Sequence, residues 1–139
     1  MIKKKLKYRM IWIDDQRNPI EYIASNVIPK EFQNRAFKNE SGYEIIWLKS
    51  FKEWIDWAKK NWFGNKNKGY IDCFCLDHDL GDFDENGKEH TGVEVAKTII
   101  NDILMNDKQL PYYESHSSNP EGREDIISIF ETYEKYLIQ

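Results

Sequence analysis

The run Cys73-Phe74-Cys75-Leu76 has no polar face, and it ends abruptly in Asp77-His78-Asp79 before breaking at Leu80-Gly81. A strand that is apolar on both sides must be covered on both sides, as inside a parallel sheet flanked by helices. In an open sheet of that kind, ligands sit beyond the carboxyl ends of the strands. Three polar side chains at that point make the run a candidate for acid, base or metal chemistry.

The rest of the chain repeats the pattern. Tyr8 to Ile13 reads as a first strand ended by Asp14-Asp15, and Pro19 opens a helix through Ala24. A polar stretch, 34–42, leads to a second strand, Glu44 to Leu48. Ser50 with Glu53 forms a capping box, followed by Phe51, Trp54, Ile55, Ala58 and Trp62 at helical spacing. The third strand is expected over Tyr70 to Leu76, and the polar residues Gly81 to His90 as a solvated, lid-like loop with His90 exposed. Thr91 with Glu94 is a second capping box, ahead of the stripe Val93, Ala96, Ile99, Ile100, Ile103 and Leu104. Pro111 to Ser115 is a short fourth strand. Asn119 as N-cap and Pro120 at the first helical position open a last helix. Four strand–helix alternations predict an α/β fold in one domain, 1–139: a three-layer sandwich with a parallel sheet of about four strands and helices on both faces. Right-handed crossovers lead to strand order 2-1-3-4.

The formal net charge of −4 gives no footprint for duplex nucleic acid. Lys3-Lys4-Lys5-Leu6-Lys7 reads as a solubilising lead-in, with no apolar signal core after it. No segment approaches the ~20 apolar residues of a membrane span, so the expected location is cytoplasmic, without a membrane partner; the oligomeric state stays open. Cys73 and Cys75 would share one face of a strand as reduced core thiols. Asp82 to Gly87 copies the start of a calcium loop, but the twelfth position is Val93 instead of a bidentate Glu.

In order 2-1-3-4 the acids at three strand ends gather on one rim. Asp14, Asp15 and Asp77, with Asp79 either joining them or shaping the turn into Gly81, would repel one another unless a cation neutralised them. A hard divalent ion, Mg²⁺ first, is the natural occupant. The plainer roles are a helix cap for Asp15 and a loop acid for Asp14. His78 and His116 titrate near neutrality and could divide the proton transfers, or orient a carboxylate. Ser117, Asn119 and the free end of the last helix suit a phosphate, although Asn119 also fits ordinary capping. Arg17 could fork onto a phosphate, or pair locally with Asp14 or Asp15. Asp77→Asn and His116→Ala are expected to abolish function without loss of stability.

Three motifs stand in order: Ile13-Asp14-Asp15-Gln16-Arg17-Asn18-Pro19, Leu76-Asp77-His78-Asp79-Leu80-Gly81, and His116-Ser117-Ser118-Asn119-Pro120-Glu121-Gly122. Together they resemble the cyclic-phosphate-processing receiver-like domain family, a divergent branch of the response-regulator receiver fold. The resemblance implies a receiver-like (flavodoxin-like) sandwich. It makes Asp14 and Asp15 the metal-binding pair, Asp77 the phospho-accepting position and Ser117 the small hydroxyl residue. It also implies action on cyclic phosphates. Two departures count against phosphorelay signalling: the sequence offers no fifth strand with its Lys after the last helix, and His78, Asp79 and His116 have no role in an ordinary receiver. The leading expectation is a Mg²⁺-assisted phosphohydrolase or phosphodiesterase acting on a cyclic phosphate, either a nucleotide or an RNA 2′,3′-cyclic end. The alternatives are a module that binds or sequesters a cyclic nucleotide without turnover, and a degenerate phospho-receiver.

Overall fold

Apolar runs bounded by acids, and apolar stripes opened by caps, become strands and helices close to where the sequence puts them. The computed structural model describes residues 8–24 and 43–138. The basic lead-in 3–7 and the polar stretch 34–42 lie outside these. In chain order the elements are β1 (Tyr8–Ile13), α1 (Pro19–Ala24), β2 (Tyr43–Leu48), α2 (Phe51–Asn61), β3 (Cys73–Leu76), β4 (Asp79–Phe83), β5 (Glu89–Thr91), α3 (Gly92–Asn106), β6 (Tyr112–Ser115) and α4 (Pro120–Ile138). β2, β1, β3 and β6 form one parallel sheet in that order, which is 2-1-3-4 among the strands expected from sequence. The architecture is the receiver-like α/β fold.

Alternation along the strands separates two apolar layers. Ile11, Ile13, Phe74 and Leu76 face a large core shared with Trp54 and Ala58 of α2, Val95, Ala96, Ile99 and Ile103 of α3, and Ile126 and Phe130 of α4. Met10, Trp12, Cys73 and Cys75 bury the opposite face, with Tyr8, Ile45 and Trp47 packed against them. The cysteines are free thiols within that layer, and burial, with Cys75 next to it, pushes the Cys73 thiol well up. Among the described residues no helix is long and apolar enough to cross a membrane.

Local chemistry sets the helix starts. Ser50 Oγ accepts from Glu53 N at 3.0 Å, while Glu53 reaches back to Lys49 N at 3.2 Å. Thr91 Oγ1 accepts from Val93 N, Asn18 Oδ1 from Ile20 N, and Asn119 Oδ1 from Gly122 N.

Two expectations require correction. β3 begins at Cys73 instead of Tyr70, because Asp72 is held at the sheet's amino edge: its carboxylate accepts from Arg9 N and its carbonyl from Tyr112 N. The segment expected as a solvated loop is an antiparallel β4–β5 hairpin. Its turn is closed by Asp84, whose Oδ1 accepts from Asn86 N and Lys88 N, and by Gly87 at φ 79°. Asp82 Oδ2 accepts from Phe51 N at 2.9 Å, and His90 stacks on the Phe51 ring instead of standing exposed. These carboxylates are engaged with backbone, so the calcium-loop pattern has no converging ligand set.

Asp102 and Lys108 tie the far ends of α2 and α3 together. Lys108 Nζ lies 2.5 Å from Asp102 Oδ2 and 4.2 Å from the Trp62 ring centre, and Asp102 Oδ1 accepts from Gly64 N. Both side chains are buried, so removing one partner strands the other charge out of water. Asp102→Ala should therefore cost about 3–5 kcal/mol in urea unfolding; a midpoint equal to wild type would refute the pair's structural role.

Candidate functional site

Register builds the site. Ile13, Leu76 and Ser115 lie side by side in β1, β3 and β6. The next residues are Asp14, Asp77 and His116, and the hydrogen bonding continues through them: Asp14 N donates to Leu48 O, Asp77 N to Ile13 O, and His116 N to Leu76 O. Side chains alternate along a strand. These three therefore turn away from the large core, toward the layer that contains Trp12. All three are buried, and one ligand atom from each lies within 4.8 Å of the others.

The two carboxylates share an enclosed space but not an environment. Asp14 is fully buried, which raises its pKa. The bond to His116 Nε2 (2.8 Å to Oδ2) and the backbone N–H groups of Arg17 and Gln16 on Oδ1 outweigh that, and its carboxyl ends below the ordinary value. Asp77 is raised, first by burial and then by the charge of Asp14; His116 and Arg17 offset this only in part. Arg17 spans the pair, with Nη1 3.4 Å from Asp14 Oδ2 and 3.5 Å from Asp77 Oδ1. Of the two roles open to Arg17, the local ion pair is the one seen, and it extends to a second acid.

Two tryptophans of β1 and β2 hold this loop. Trp47 Nε1 donates to Asp14 O at 2.8 Å and Trp12 Nε1 to Arg17 O at 2.9 Å. The Trp12 ring also stacks on His116, with centres 3.8 Å apart and planes 7° from parallel. The available signal was parity: Trp12 lies two residues before Asp14 on the same side of β1.

The remaining candidates lie around this centre. His78 N donates to Asp77 Oδ1, but its ring turns to Asp79, with Nδ1 2.8 Å from Oδ1. Asp79 is exposed and Asp15 half-buried, and neither belongs to the convergent set found among the described residues. Asp15 instead abuts the hairpin, where a Cβ on Gly81 would stand 3.2 Å from its Oδ2. Ser117 is buried and its Oγ accepts from Asn119 N, while Asn119 caps α4. Two glycines were also overlooked. A side chain on Gly92 would collide with the Asp77 carbonyl, and one on Gly122 with the His78 ring. Glycine at both positions lets α3 and α4 start directly against the site. A divalent cation among Asp14, Asp77 and His116, or a phosphate facing Arg17, is the chemistry these groups can support.

A family model described as the cyclic-phosphate processing receiver domain matches residues 9–132. No curated protein and no solved structure matches the chain.

The opposed shifts make opposed predictions. Asp77 titrates higher folded than unfolded, so its contribution to stability is present below the unfolded pKa of about 4 and is lost as pH rises through the folded value. Asp77→Asn should unfold at a higher temperature than wild type at pH 7, with the gain disappearing near pH 3. Asp14 titrates lower folded, so its contribution is present at neutral pH and lost as pH falls through the folded value; Asp14→Asn should be destabilised at pH 7. Melting curves across pH decide both, and an Asp77→Asn midpoint below wild type at pH 7 would contradict the raised pKa. The geometry changes the expectation for His116→Ala. It removes a stacked, buried ring and leaves Asp14 Oδ2 short of a donor, so a loss of about 1–3 kcal/mol should accompany any functional defect.

Proposed function

Because the chain belongs to the cyclic-phosphate processing receiver domain family, we propose that it hydrolyses a cyclic phosphate, a nucleotide or an RNA 2′,3′-cyclic end, at the Asp14–Asp77–His116 cluster. The observation that carries this reading is the convergence of two buried carboxylates and one imidazole within 4.8 Å, with one guanidinium reaching both acids. A degenerate phospho-receiver has no use for the histidine.

The donor set suits a divalent cation. Two carboxylate oxygens are hard ligands, and Asp77, raised first by burial and then by the charge of Asp14, would be eased by a cation beside it. Asp14 and Asp77 would hold Mg²⁺ or Mn²⁺ through their oxygens, with His116 outside the cation's ligand set. When bound, the cation would polarise phosphoryl oxygens and neutralise charge developing on them.

In the proposed reaction a water oxygen bonds to phosphorus as one ring P–O bond breaks. The water gives up a proton and the departing ribose oxygen gains one, so the product is a phosphomonoester. His78 is the proposed proton acceptor. Its Nδ1 is engaged by Asp79, so the basic lone pair sits on Nε2, as in other carboxylate–histidine pairs. Asp79 is then a positioning residue instead of a metal ligand. His116, held by Asp14 and Trp12, would return a proton to the leaving oxygen. Arg17, with its guanidinium partly exposed, would transfer from the acids to the phosphate's non-bridging oxygens. Ser117 keeps a hydroxyl hydrogen to donate to the same group.

Purified protein incubated with nucleoside 2′,3′-cyclic monophosphates and Mg²⁺ or Mn²⁺ should yield the monophosphate by phosphorus NMR, and Asp77→Asn should yield none. Tight binding with the ligand recovered intact would replace the enzyme reading with a binding module. An acyl phosphate on Asp77 after treatment with a small phosphodonor would favour the receiver reading. Independently of turnover, the same cation at 100 times its Kd should add about 2.7 kcal/mol of stability, and none in Asp77→Asn.

A further inference from the structure

β6 ends the sheet on its side, with no strand beyond it among the described residues. Tyr112 N donates to Asp72 O and His116 N to Leu76 O, both toward β3. By alternation the backbone groups of Tyr113 turn outward. An open groove of about 890 Å³ follows this edge. Side chains from both faces of β6 line it, so it runs along the edge itself and not over one face. It contains none of Asp14, Asp77 and His116.

The groove is aromatic and acidic. Tyr112 and Glu114 are in register with Cys73 and Cys75, on the Trp12 side of the sheet. Tyr113 is in register with Phe74 on the other side, where it stacks on Phe130 of α4 with ring centres 4.4 Å apart. Glu134 of α4 accepts from the Tyr113 hydroxyl there. Glu114 and Glu134 therefore flank the edge from opposite faces. Glu114 Oε1 also lies 3.4 Å from Ser115 N, and its Oε2 lies 3.5 Å from the Tyr112 hydroxyl. Among the described residues neither carboxylate is paired with a lysine or arginine. Lys108, which also lines the groove, is turned inward to Asp102. Burial and then the neighbouring carboxylates push both phenols up, Tyr112 to about 12.

A second copy is a poor occupant, since two β6 edges paired about a twofold axis would set these acids against like charges. An extended segment that carries positive charge fits instead. Consecutive side chains of a strand point to opposite faces. Two adjacent basic residues would therefore meet Glu114 on one face and Glu134 on the other. Their aliphatic stems would cover the tyrosines, and the backbone between them would pair with Tyr113. We propose that the β6 edge docks an extended dibasic segment of a partner protein, added to the sheet as a short strand. This surface is independent of the cyclic-phosphate reading.

The test titrates the full chain with a labelled hexapeptide that has Lys-Arg at its centre and Thr and Val on either side, by fluorescence anisotropy at low salt. Binding should shift the Tyr113 amide resonance. It should weaken roughly threefold to fivefold in Glu114→Gln and in Glu134→Gln, and about tenfold when the two are combined. A peptide with two glutamates at its centre should not bind, and methylation of the Lys-Arg backbone nitrogens should weaken binding by removing their N–H donors. Wild type that does not bind the Lys-Arg peptide, or a double variant that binds it as tightly as wild type, would overturn the proposal. Equal affinity for the methylated peptide would overturn it too, because strand pairing would then play no part. Concentration-dependent dimerisation that strengthens in Glu114→Gln would give the edge to a second copy instead.

Discussion

The lateral register of β1, β3 and β6 is the constraint on which the site depends. Asp14, Asp77 and His116 come from segments far apart in the chain, yet each is the first residue beyond the row Ile13–Leu76–Ser115. Backbone bonds from all three to the neighbouring strand extend the ladder by one step. A slip of one residue in any strand would move its side chain to the other face of the sheet. The two apolar layers forbid such a slip, because it would drive Phe74 and Leu76 out of the main core and the cysteines into it. The packing of Ile11, Phe74 and their partners thus secures the geometry of groups they never touch.

The two acids of the cluster are pushed in opposite directions. His116 and two backbone donors lower Asp14 against its burial, while burial and then the charge of Asp14 raise Asp77. Arg17 lies at 3.4 and 3.5 Å from the two acids, distances at which it moderates their repulsion without forming a close forked pair. Perturbed carboxylates of opposite shift gather where a protein handles charge, and the chain belongs to a family described as cyclic-phosphate processing receiver domains.

Much of this could be read along the chain, for identifiable reasons. Strand boundaries at Ile13, Leu48 and Leu76 were legible because each apolar run ends in a polar residue, whereas the short strand ending at Ser115 carries Glu114 within it. Helix starts were legible because Ser50, Thr91 and Asn119 each cap through their own side chain, a local interaction. The hairpin 79–91 was not, since Asp82, Asp84, Asn86 and Lys88 look like loop residues until Asp82 finds Phe51 N and Asp84 folds back onto its own turn. Asp79 was grouped with the acids because of its charge, but its partner is the adjacent His78. The parts played by Trp47, Gly92 and Gly122 do not follow from sequence pattern, because they are to support or to leave room; Trp12 alone carries a signal, its parity with Asp14.

The sequence by itself determined the α/β class, the strand order and the identity of the residues at the strand ends, because these follow from local patterning and from the handedness of crossovers. Only the tertiary structure decided which of those residues share a space. It gathered Asp14, Asp77 and His116, set Asp15 against the hairpin, paired Asp79 with His78 and turned Asn119 to its helix. The reason is that side-chain convergence depends on register between strands and on how closely α3 and α4 approach, and both are set by packing between segments remote in sequence.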